Sequence, residues 1–167
     1  GCRGVFLEFG DPQYRHVFDQ HNIERYDILD IHPGAHVTIV GDLQHCPQIA
    51  DNTYDVIVCT QVLEHVPNPF AAADELHRIL KPGGQLLLTV PAAYPYHAVP
   101  RDYWRFTRDS LDLLFGERFG QIEITEYGNR LTAVAAYWYW MADHLPRAAL
   151  YKSDPASSTL LAMYARK

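Results

Sequence analysis

The sequence predicts a three-layer α/β domain with a mainly parallel sheet, and three observations support this fold class. Apolar, β-branched runs such as residues 54–59 (YDVIVC) are typical of parallel strands that are buried on both faces. These runs alternate with segments of helical periodicity, as strand–helix–strand units require. Hydrophobic residues make up 48% of the 167 positions, which is enough for a single domain over residues 1–167 with a large core.

The N-terminal segment predicts a strand, a turn and a short helix. Residues 5–9 (VFLEF) form the first strand, and Gly10 begins the turn. Residues 14–20 have helical character, and Val17 and Phe18 are the expected buried pair.

Two more strands are predicted before residue 50. Residues 26–31 (YDILDI) form the second strand, which closes on Asp30. Residues 37–40 (VTIV) form the third, which leads into Gly41 and Asp42. Ligands of parallel sheets bind in the crevice beyond the carboxyl ends of the strands, so both aspartates are candidate binding residues.

The middle of the chain predicts a right-handed βαβ unit. Asn68 is a good N-cap, and Pro69 suits the first helical position because its missing N–H costs nothing there. Asp74 and Glu75 are expected to be solvated. A Pro-Gly-Gly turn ends the helix, and residues 85–90 form the next buried strand. The apolar stripe that packs the helix on the sheet consists of Ala72, Leu76, Ile79 and Leu80.

The C-terminal third predicts a helix and two strands. Thr107 caps a helix whose inward side chains are Leu111, Leu114 and Phe115. Residues 121–127 alternate between apolar and polar, which is typical of a strand with one solvated face. Residues 159–165 predict the last strand.

Residues 131–142 predict a helix with four consecutive aromatics that cover most of its circumference. Some of these side chains must be exposed, which indicates a partner subunit, a membrane surface or a hydrophobic acceptor. The alternative is a helix that is covered on both sides, by the sheet and by residues 151–158. The aromatics are Tyr137, Trp138, Tyr139 and Trp140.

Charge and cysteine content exclude several classes of function. A net charge of −6 argues against binding to nucleic-acid phosphates, which needs clustered basic residues. Cys2, Cys46 and Cys59 lack metal-ligand spacing, so no metal site is predicted, and free thiols suit a reducing cytoplasm. The chain has no visible signal peptide and no apolar run near the ~20 residues of a transmembrane span.

Three segments in a fixed order are the most specific feature of the chain: YDVIVCTQVLEHVPNP, HRILKPGGQLLLTVP and RDYWRFT. Together they resemble the class I S-adenosylmethionine-dependent methyltransferases, in their type-11 branch, and the similarity runs over nearly the whole chain. The resemblance implies a Rossmann-like, seven-stranded sheet with an antiparallel last strand. It also implies S-adenosylmethionine as the cofactor and methyl transfer to a small-molecule acceptor.

The glycine loop departs from the family pattern of an acid followed by G-x-G. Glu8 and Gly10 supply the acid and only one glycine for cofactor binding. A second alignment treats residues 1–4 (GCRG) as the loop, which would place the first strand before Gly1 and mean that the N-terminus is truncated. We favour residues 5–9 as the strand, because a doubly wound sheet without its central strand would expose two edges.

The resemblance assigns adenosine contacts to residues that follow the second and third strands. Asp30 would accept hydrogen bonds from the ribose hydroxyls, with Ile31 beside it; the alternative for Asp30 is to cap the next turn. Asp42 would bind the adenine amino group, and Leu43 would supply a backbone N–H and apolar contact. The alternative for Asp42 is an ordinary turn aspartate.

The loop after the fourth strand holds further polar candidates. Thr60 and Gln61 would border the adenosine or methionine portion of the cofactor. His65 is the candidate catalytic residue, because histidine is the residue type best suited to act as a base near neutral pH for a hydroxyl or protonated amine acceptor. Alternatively, His65 and Glu64 hold the loop in place by hydrogen bonds.

Residues 91–107 are too rich in proline and aromatics for a solvated linker, and we interpret them as a lid over the methyl site. Its arginines would neutralise an anionic acceptor or pair with Asp102 and Glu64. Trp104 and Phe106 would alternatively pack the lid onto the sheet. The predicted acceptor-binding residues are Tyr94, His97, Arg101, Tyr103, Trp104 and Arg105.

Two other functions stay open at this point. The degenerate glycine loop and the exposed aromatics favour a catalytically silent cofactor-binding or interaction module. A nucleotide-dependent oxidoreductase on a related fold is disfavoured, because no full G-x-G-x-x-G precedes Asp30.

Overall fold

The computed structural model describes residues 4–18, 22–98, 101–138 and 144–167. The strands are β1 (Gly4–Phe9), β2 (Ile23–Asp30), β3 (Ile39–Val40), β4 (Tyr54–Thr60), β5 (Leu80–Pro91), β6 (Gln121–Tyr127) and β7 (Leu160–Arg166). The helices are α1 (Arg15–Phe18), α2 (Pro69–Ile79), α3 (Arg108–Phe115), α4 (Arg130–Tyr137) and α5 (Arg147–Leu150). Short 3-10 turns cover Leu63–His65 and Pro155–Ser157.

The strands form one seven-stranded sheet in the order β3-β2-β1-β4-β5-β7-β6. The strands from β3 to β5 pair in parallel. The last strand, β7, inserts between β5 and β6 and runs antiparallel to both. This topology confirms the predicted mainly parallel, Rossmann-like sheet with an antiparallel last strand.

The position of β1 decides between the two alignments of the glycine loop. β1 lies in the middle of the sheet and pairs with both β2 and β4. Residues 5–9 are therefore the central strand, as predicted, and Gly10 follows directly at the carboxyl edge. The second alignment, with residues 1–4 as the loop, is wrong because Gly4 already belongs to β1; residues 1–3 lie outside the described part of the chain.

The β4–α2–β5 unit follows its sequence signals closely. The Asn68 side chain accepts a hydrogen bond from the N–H of Ala71, and Pro69 opens α2. The predicted apolar stripe is fully buried, although Leu80 belongs to β5 rather than to the helix. The helix packs on the face of the sheet that holds the larger hydrophobic core.

One side chain of α2 differs from the prediction. Glu75 is buried, because the loop before β4 folds against the helix. Its Oε1 accepts a hydrogen bond from the backbone N–H of Cys46 at 2.6 Å and lies 2.6 Å from Nη2 of Arg78. Arg78 thereby holds the pKa of Glu75 below its ordinary value. Asp74 is solvated as predicted, with its side chain 66% exposed.

The opposite face of the sheet has a smaller core. Phe18 of α1 packs on Phe6 of β1, with ring centroids 5.2 Å apart, and Val56 and Val58 complete this cluster. Val17 is mostly exposed, so the expected buried pair is wrong for that residue. A helix of one turn presents only one of two adjacent side chains to the sheet.

The C-terminal region confirms the predicted β6 and ends in β7. The described part of the predicted aromatic helix forms α4, and Tyr137 and Trp138 are exposed at its end. Tyr139 and Trp140 lie outside the described residues. Within the described residues, no helix combines the length and the apolar character that crossing a membrane requires.

Thr107 caps α3 in a capping box: its Oγ1 accepts from the N–H of Ser110, and Oγ of Ser110 accepts from the N–H of Thr107. We expect Thr107→Ala to lower the free energy of unfolding by about 1 kcal/mol, because the cap is lost while the exposed side chain packs against little else. Urea unfolding measures this change. Thr107→Ser keeps the hydroxyl and serves as the matched control; an equal loss in both variants would contradict the capping role.

Candidate functional site

A cleft of about 820 Å³ opens at the carboxyl ends of β1, β2 and β4. This is where the parallel-sheet rule places a ligand. On the side of β1 to β3, predicted site residues line it: Gly10, Asp30, Ile31, Asp42 and Leu43. On the side of β4 and the lid, the lining includes Thr60, Gln61, His65, Arg101 and Tyr103. The fold thus gathers residues from five separate segments of sequence.

Asp30 ends β2 and faces this cleft. Its Oδ1 accepts a hydrogen bond from the backbone N–H of His32 at 2.8 Å, so it also caps the next turn. Its Oδ2 accepts no hydrogen bond from the described residues. Both interpretations of Asp30 are therefore structurally compatible: one oxygen holds the turn and the other is free for a ligand.

Gly10 follows β1 with a φ of +76°, which belongs to the left-handed region that favours glycine. A Cβ atom at this position would lie 3.8 Å from Oδ2 of Asp30. The single glycine of the degenerate loop therefore occupies the position where the backbone turns beside Asp30. A side chain there would be strained and would project toward Oδ2 of Asp30.

Glu8 lies beneath the cleft rather than in its lining. Its side chain is buried, and its carboxylate accepts hydrogen bonds from the backbone N–H of Tyr14 at 3.1 Å and from the Tyr26 hydroxyl at 2.5 Å. Glu8 thus fixes the loop after β1, and Tyr14 lines the cleft. This geometry favours a structural role for Glu8 over the predicted direct contact with a cofactor.

Asp42 lies in the cleft wall after β3, and both of its carboxylate oxygens accept hydrogen bonds from Gln44. Oδ1 accepts from the backbone N–H of Gln44 at 2.9 Å, and Oδ2 accepts from its side-chain amide at 2.9 Å. Leu43 is buried below it. Gln44 also lines the cleft, so this aspartate and this amide form one polar unit at the end of β3.

Gln61 has a strained backbone at the end of β4. Its φ is +54°, which non-glycine residues rarely adopt. The conformation is held by hydrogen bonds from the Gln61 backbone N–H to the Thr89 carbonyl at 2.9 Å and from its side-chain amide to the Thr89 hydroxyl at 3.1 Å. Strain of this kind concentrates at functional sites.

The lid is tied to the loop after β4. The backbone N–H groups of Tyr103 and Trp104 donate to the Glu64 carbonyl, and Nε1 of Trp104 donates to the Val66 carbonyl at 2.8 Å. Phe106 is buried in the main core. Trp104 therefore ties the lid to the loop after β4 and does not line the cleft, whereas Tyr103 does.

Arg105 is a structural residue of the lid. Its guanidinium binds both carboxylate oxygens of Asp102, at 2.5 and 2.7 Å, and donates to the carbonyls of Tyr94 and Pro95. Arg105 holds the pKa of Asp102 well below its usual range. Arg105 and Tyr94 are absent from the cleft lining, whereas Arg101 is part of it.

Glu64, His65 and His97 form a cluster beside the cleft, and sequence reasoning did not group them. The rings of His65 and His97 lie edge to face with centroids 5.1 Å apart. Glu64 is fully buried, and burial raises the pKa of its carboxyl group. His97 lies in the lid and is outside the cleft lining, whereas His65 belongs to it. The features of the sequence that indicate this cluster are the Glu-His pair after a buried strand and one more histidine in the lid.

Comparison with known proteins identifies the family. Residues 3–128 match the family model described as a methyltransferase domain. The match covers more than half of the chain, so the chain belongs to the methyltransferase domain family. The resemblance to class I methyltransferases that the sequence shows is confirmed.

Individual relatives agree with this family. The chain is 39% identical over 54 residues to the ubiquinone biosynthesis O-methyltransferase of Pseudomonas paraeruginosa, and the match covers 30% of this chain and 23% of that protein. A SAM-dependent methyltransferase from Archaeoglobus fulgidus has a TM-score of 0.68 at 15% identity, covering 100% of this chain and 87% of that one. Phosphoethanolamine N-methyltransferase 2 of Haemonchus contortus, solved in complex with S-adenosyl-L-methionine, has a TM-score of 0.69 at 14% identity, covering 99% and 49%. At sequence identities of 14–15%, the similarity to these two solved structures establishes the fold alone.

Proposed function

We propose that residues 1–167 form one catalytic domain that transfers the methyl group of S-adenosylmethionine to a small-molecule acceptor. Family membership supports the reaction type. The observation that carries the proposal is the cleft at the strand ends, where Asp30 lies at the tip of β2 and its Oδ2 accepts no hydrogen bond from the described residues. The cytoplasm is the proposed location, because the buried Cys46 and Cys59 are free thiols.

The cofactor would lie across the tips of β1, β2 and β4. Asp30 would accept a hydrogen bond from a ribose hydroxyl through its free Oδ2, with Ile31 beside it. The methionine portion would pass Gly10, where the absence of a side chain leaves the backbone accessible. The adenine would contact Leu43 and the polar unit of Asp42 and Gln44.

The reaction is an in-line displacement. When bound, S-adenosylmethionine would supply an electrophilic methyl group for transfer to a nucleophilic atom of the acceptor, and S-adenosylhomocysteine would be the other product. The protein supplies positioning and exclusion of water, which the lid and the apolar cleft wall provide. An acceptor hydroxyl must also lose its proton, and His65 is the imidazole that reaches the cleft. Arg101 and Tyr103 lie at the same end and would contact the acceptor.

Calorimetry tests the cofactor assignment. We expect S-adenosylhomocysteine, the demethylated product, to bind the wild-type protein with one site per chain, and NADH not to bind. Binding of NADH without S-adenosylhomocysteine would contradict the proposal and favour an oxidoreductase. Transfer of an isotopically labelled methyl group into a pool of metabolites then distinguishes an enzyme from a silent cofactor-binding module.

The second candidate function is a catalytically silent cofactor-binding or interaction module, and one observation favours it. Tyr137 and Trp138 are exposed at the end of α4, where they would suit contact with a second copy of the chain or a membrane surface. Light scattering tests self-association, and co-sedimentation with liposomes tests the membrane. Trp138→Ser should abolish whichever association is found; an association that is unchanged would place the contact elsewhere.

A further inference from the structure

A buried carboxyl group that lacks hydrogen bonds from the described residues lies next to the cleft. The Glu64 side chain is 0% exposed, and neither of its carboxylate oxygens has a hydrogen-bond partner among the described residues. Leaving a buried polar group unpaired costs free energy, and an unpaired buried charge costs far more. The carboxylate therefore indicates a ligand that binds at this position.

Two imidazoles face this carboxylate. Nε2 of His65 and Nε2 of His97 each lie 3.9 Å from Oε1 of Glu64. This separation is too long for a hydrogen bond, so the three side chains do not satisfy one another. One potential ligand atom from each residue lies within 4.8 Å of the other two. A carboxylate oxygen and two imidazole nitrogens are thus gathered around one point.

Both imidazoles are held through their other nitrogen. Nδ1 of His65 lies 2.5 Å from the carbonyl oxygen of Arg101, and Nδ1 of His97 lies 3.3 Å from the carbonyl oxygen of Pro95, with Oδ2 of Asp102 also 3.1 Å away. A proton on each Nδ1 satisfies these contacts and leaves each Nε2 as an electron-pair donor that faces Glu64. Metal-binding histidines are oriented in this way, by a carbonyl or carboxylate at the second nitrogen.

The charges around the cluster suit a divalent cation. Asp102 is already neutralised by the guanidinium of Arg105, which binds both of its oxygens. The cluster then offers one anionic oxygen from Glu64 and two neutral nitrogens. Imidazole nitrogens with a single carboxylate suit zinc and its neighbours in the first transition series, whereas magnesium and calcium prefer oxygen ligands throughout.

We propose that Glu64, His65 and His97 bind a divalent transition-metal ion of the zinc type. Zinc ligands in a tetrahedral site lie about 3.4 Å apart, so the 3.9 Å separations must contract by roughly 0.5 Å around the ion. Three protein ligands leave a coordination position open. His65 also lines the cleft, so the ion would lie at the cleft wall.

A role for the ion in catalysis rests on the proposed function. A zinc-type ion at the cleft wall would bind an acceptor oxygen and lower the pKa of its hydroxyl group. With the ion bound, Nε2 of His65 would be a ligand and no longer the base, so the hydroxyl proton would pass to a water molecule. Metal binding itself does not depend on this role.

Zinc binding to metal-stripped, tag-free protein tests the site by calorimetry in the absence of cofactor and acceptor. We expect one zinc ion per wild-type chain. His97→Ala and Glu64→Gln each remove a ligand and should weaken zinc binding by at least ~100-fold, since loss of an outer partner alone costs about 10- to 100-fold. His36→Ala removes an exposed histidine elsewhere and is the matched control, with unchanged affinity.

Three results would overturn the proposal: no zinc binding to the wild type, unchanged binding in both ligand variants, or an equal loss in His36→Ala. Wild-type protein with cobalt(II) gives a readout that needs no variant, because nitrogen ligation produces visible absorption bands, and their absence would also count against the site. Titration with S-adenosylhomocysteine separates the two proposals. Zinc binding without S-adenosylhomocysteine binding rejects only the methyltransferase, and the reverse result rejects only the metal site.

Discussion

Replacing Asp30 with alanine is expected to weaken the binding of S-adenosylhomocysteine by at least about tenfold, which is about 1.4 kcal/mol. Asp30 ends β2, lines the cleft and has one carboxylate oxygen without a hydrogen bond from the described residues. A hydrogen bond from a ribose hydroxyl to this charged oxygen contributes about 1.5–3 kcal/mol. Calorimetry on the purified variant measures the change in Kd.

Two further variants isolate the cause of this loss. Asp30→Asn keeps an oxygen for the N–H of His32 but lacks the charge, so its affinity should be intermediate. Asp112→Ala removes an equal charge from an exposed position of α3 and should leave the affinity unchanged. If Asp30→Ala, folded as judged by urea unfolding, binds as tightly as the wild type, the ribose assignment is wrong.

Glu75→Ala is expected to lower the free energy of unfolding by about 3 kcal/mol, measured by urea unfolding. The side chain is buried, and its removal leaves the backbone N–H of Cys46 without its acceptor. It also leaves Arg78 without the partner that binds it through two nitrogens, at 2.6 and 2.9 Å. Arg78 keeps its contact with Asp51, which limits the loss.

The neighbouring residue provides the control. Asp74 pairs with Arg118 at the surface, and Asp74→Ala should change the free energy of unfolding by less than about 1 kcal/mol. Because Arg78 lowers the pKa of Glu75, the ionised pair stabilises the fold above the ordinary glutamate pKa of about 4.3, and this contribution fades as the pH falls below it. The gap in the free energy of unfolding between wild type and Glu75→Gln should therefore narrow as the pH falls. A gap that is constant with pH would contradict the ion pair.

The parts of the fold that sequence alone predicts are those where several local signals agree. In the β4–α2–β5 unit, the cap at Asn68, the proline at the first helical position and the apolar stripe all indicate one helix. The position of Asp30 at the carboxyl edge was predictable because the apolar residues Ile28 and Leu29 lead into this acid at the end of the strand, and the ends of parallel strands share one edge of the sheet.

Burial that depends on a neighbouring segment was not predictable. Glu75 was expected in solvent, yet the loop that carries Cys46 folds over α2 and supplies an N–H, while Arg78 supplies the charge. Val17 was expected in the core, but α1 is a single turn and only Phe18 reaches the sheet. The helical periodicity of the sequence predicts neither the burial of Glu75 nor the exposure of Val17.

The cluster beside the cleft also depends on chain path. His97 approaches Glu64 and His65 only because the lid turns back along the loop after β4, where the N–H of Tyr103 binds the Glu64 carbonyl. The ion pair of Asp102 and Arg105 fixes that turn. His97 is far from Glu64 and His65 in sequence, so only the structure brings the three side chains together.

A crystal structure with S-adenosylhomocysteine tests the central claim most directly. The claim is that the cofactor lies across the strand tips and that Asp30 holds its ribose. The expected result places a ribose hydroxyl within about 3 Å of Oδ2 of Asp30, with the thioether sulfur facing the lid. A cleft that stays empty at saturating ligand, or a ribose bound far from β2, would contradict it.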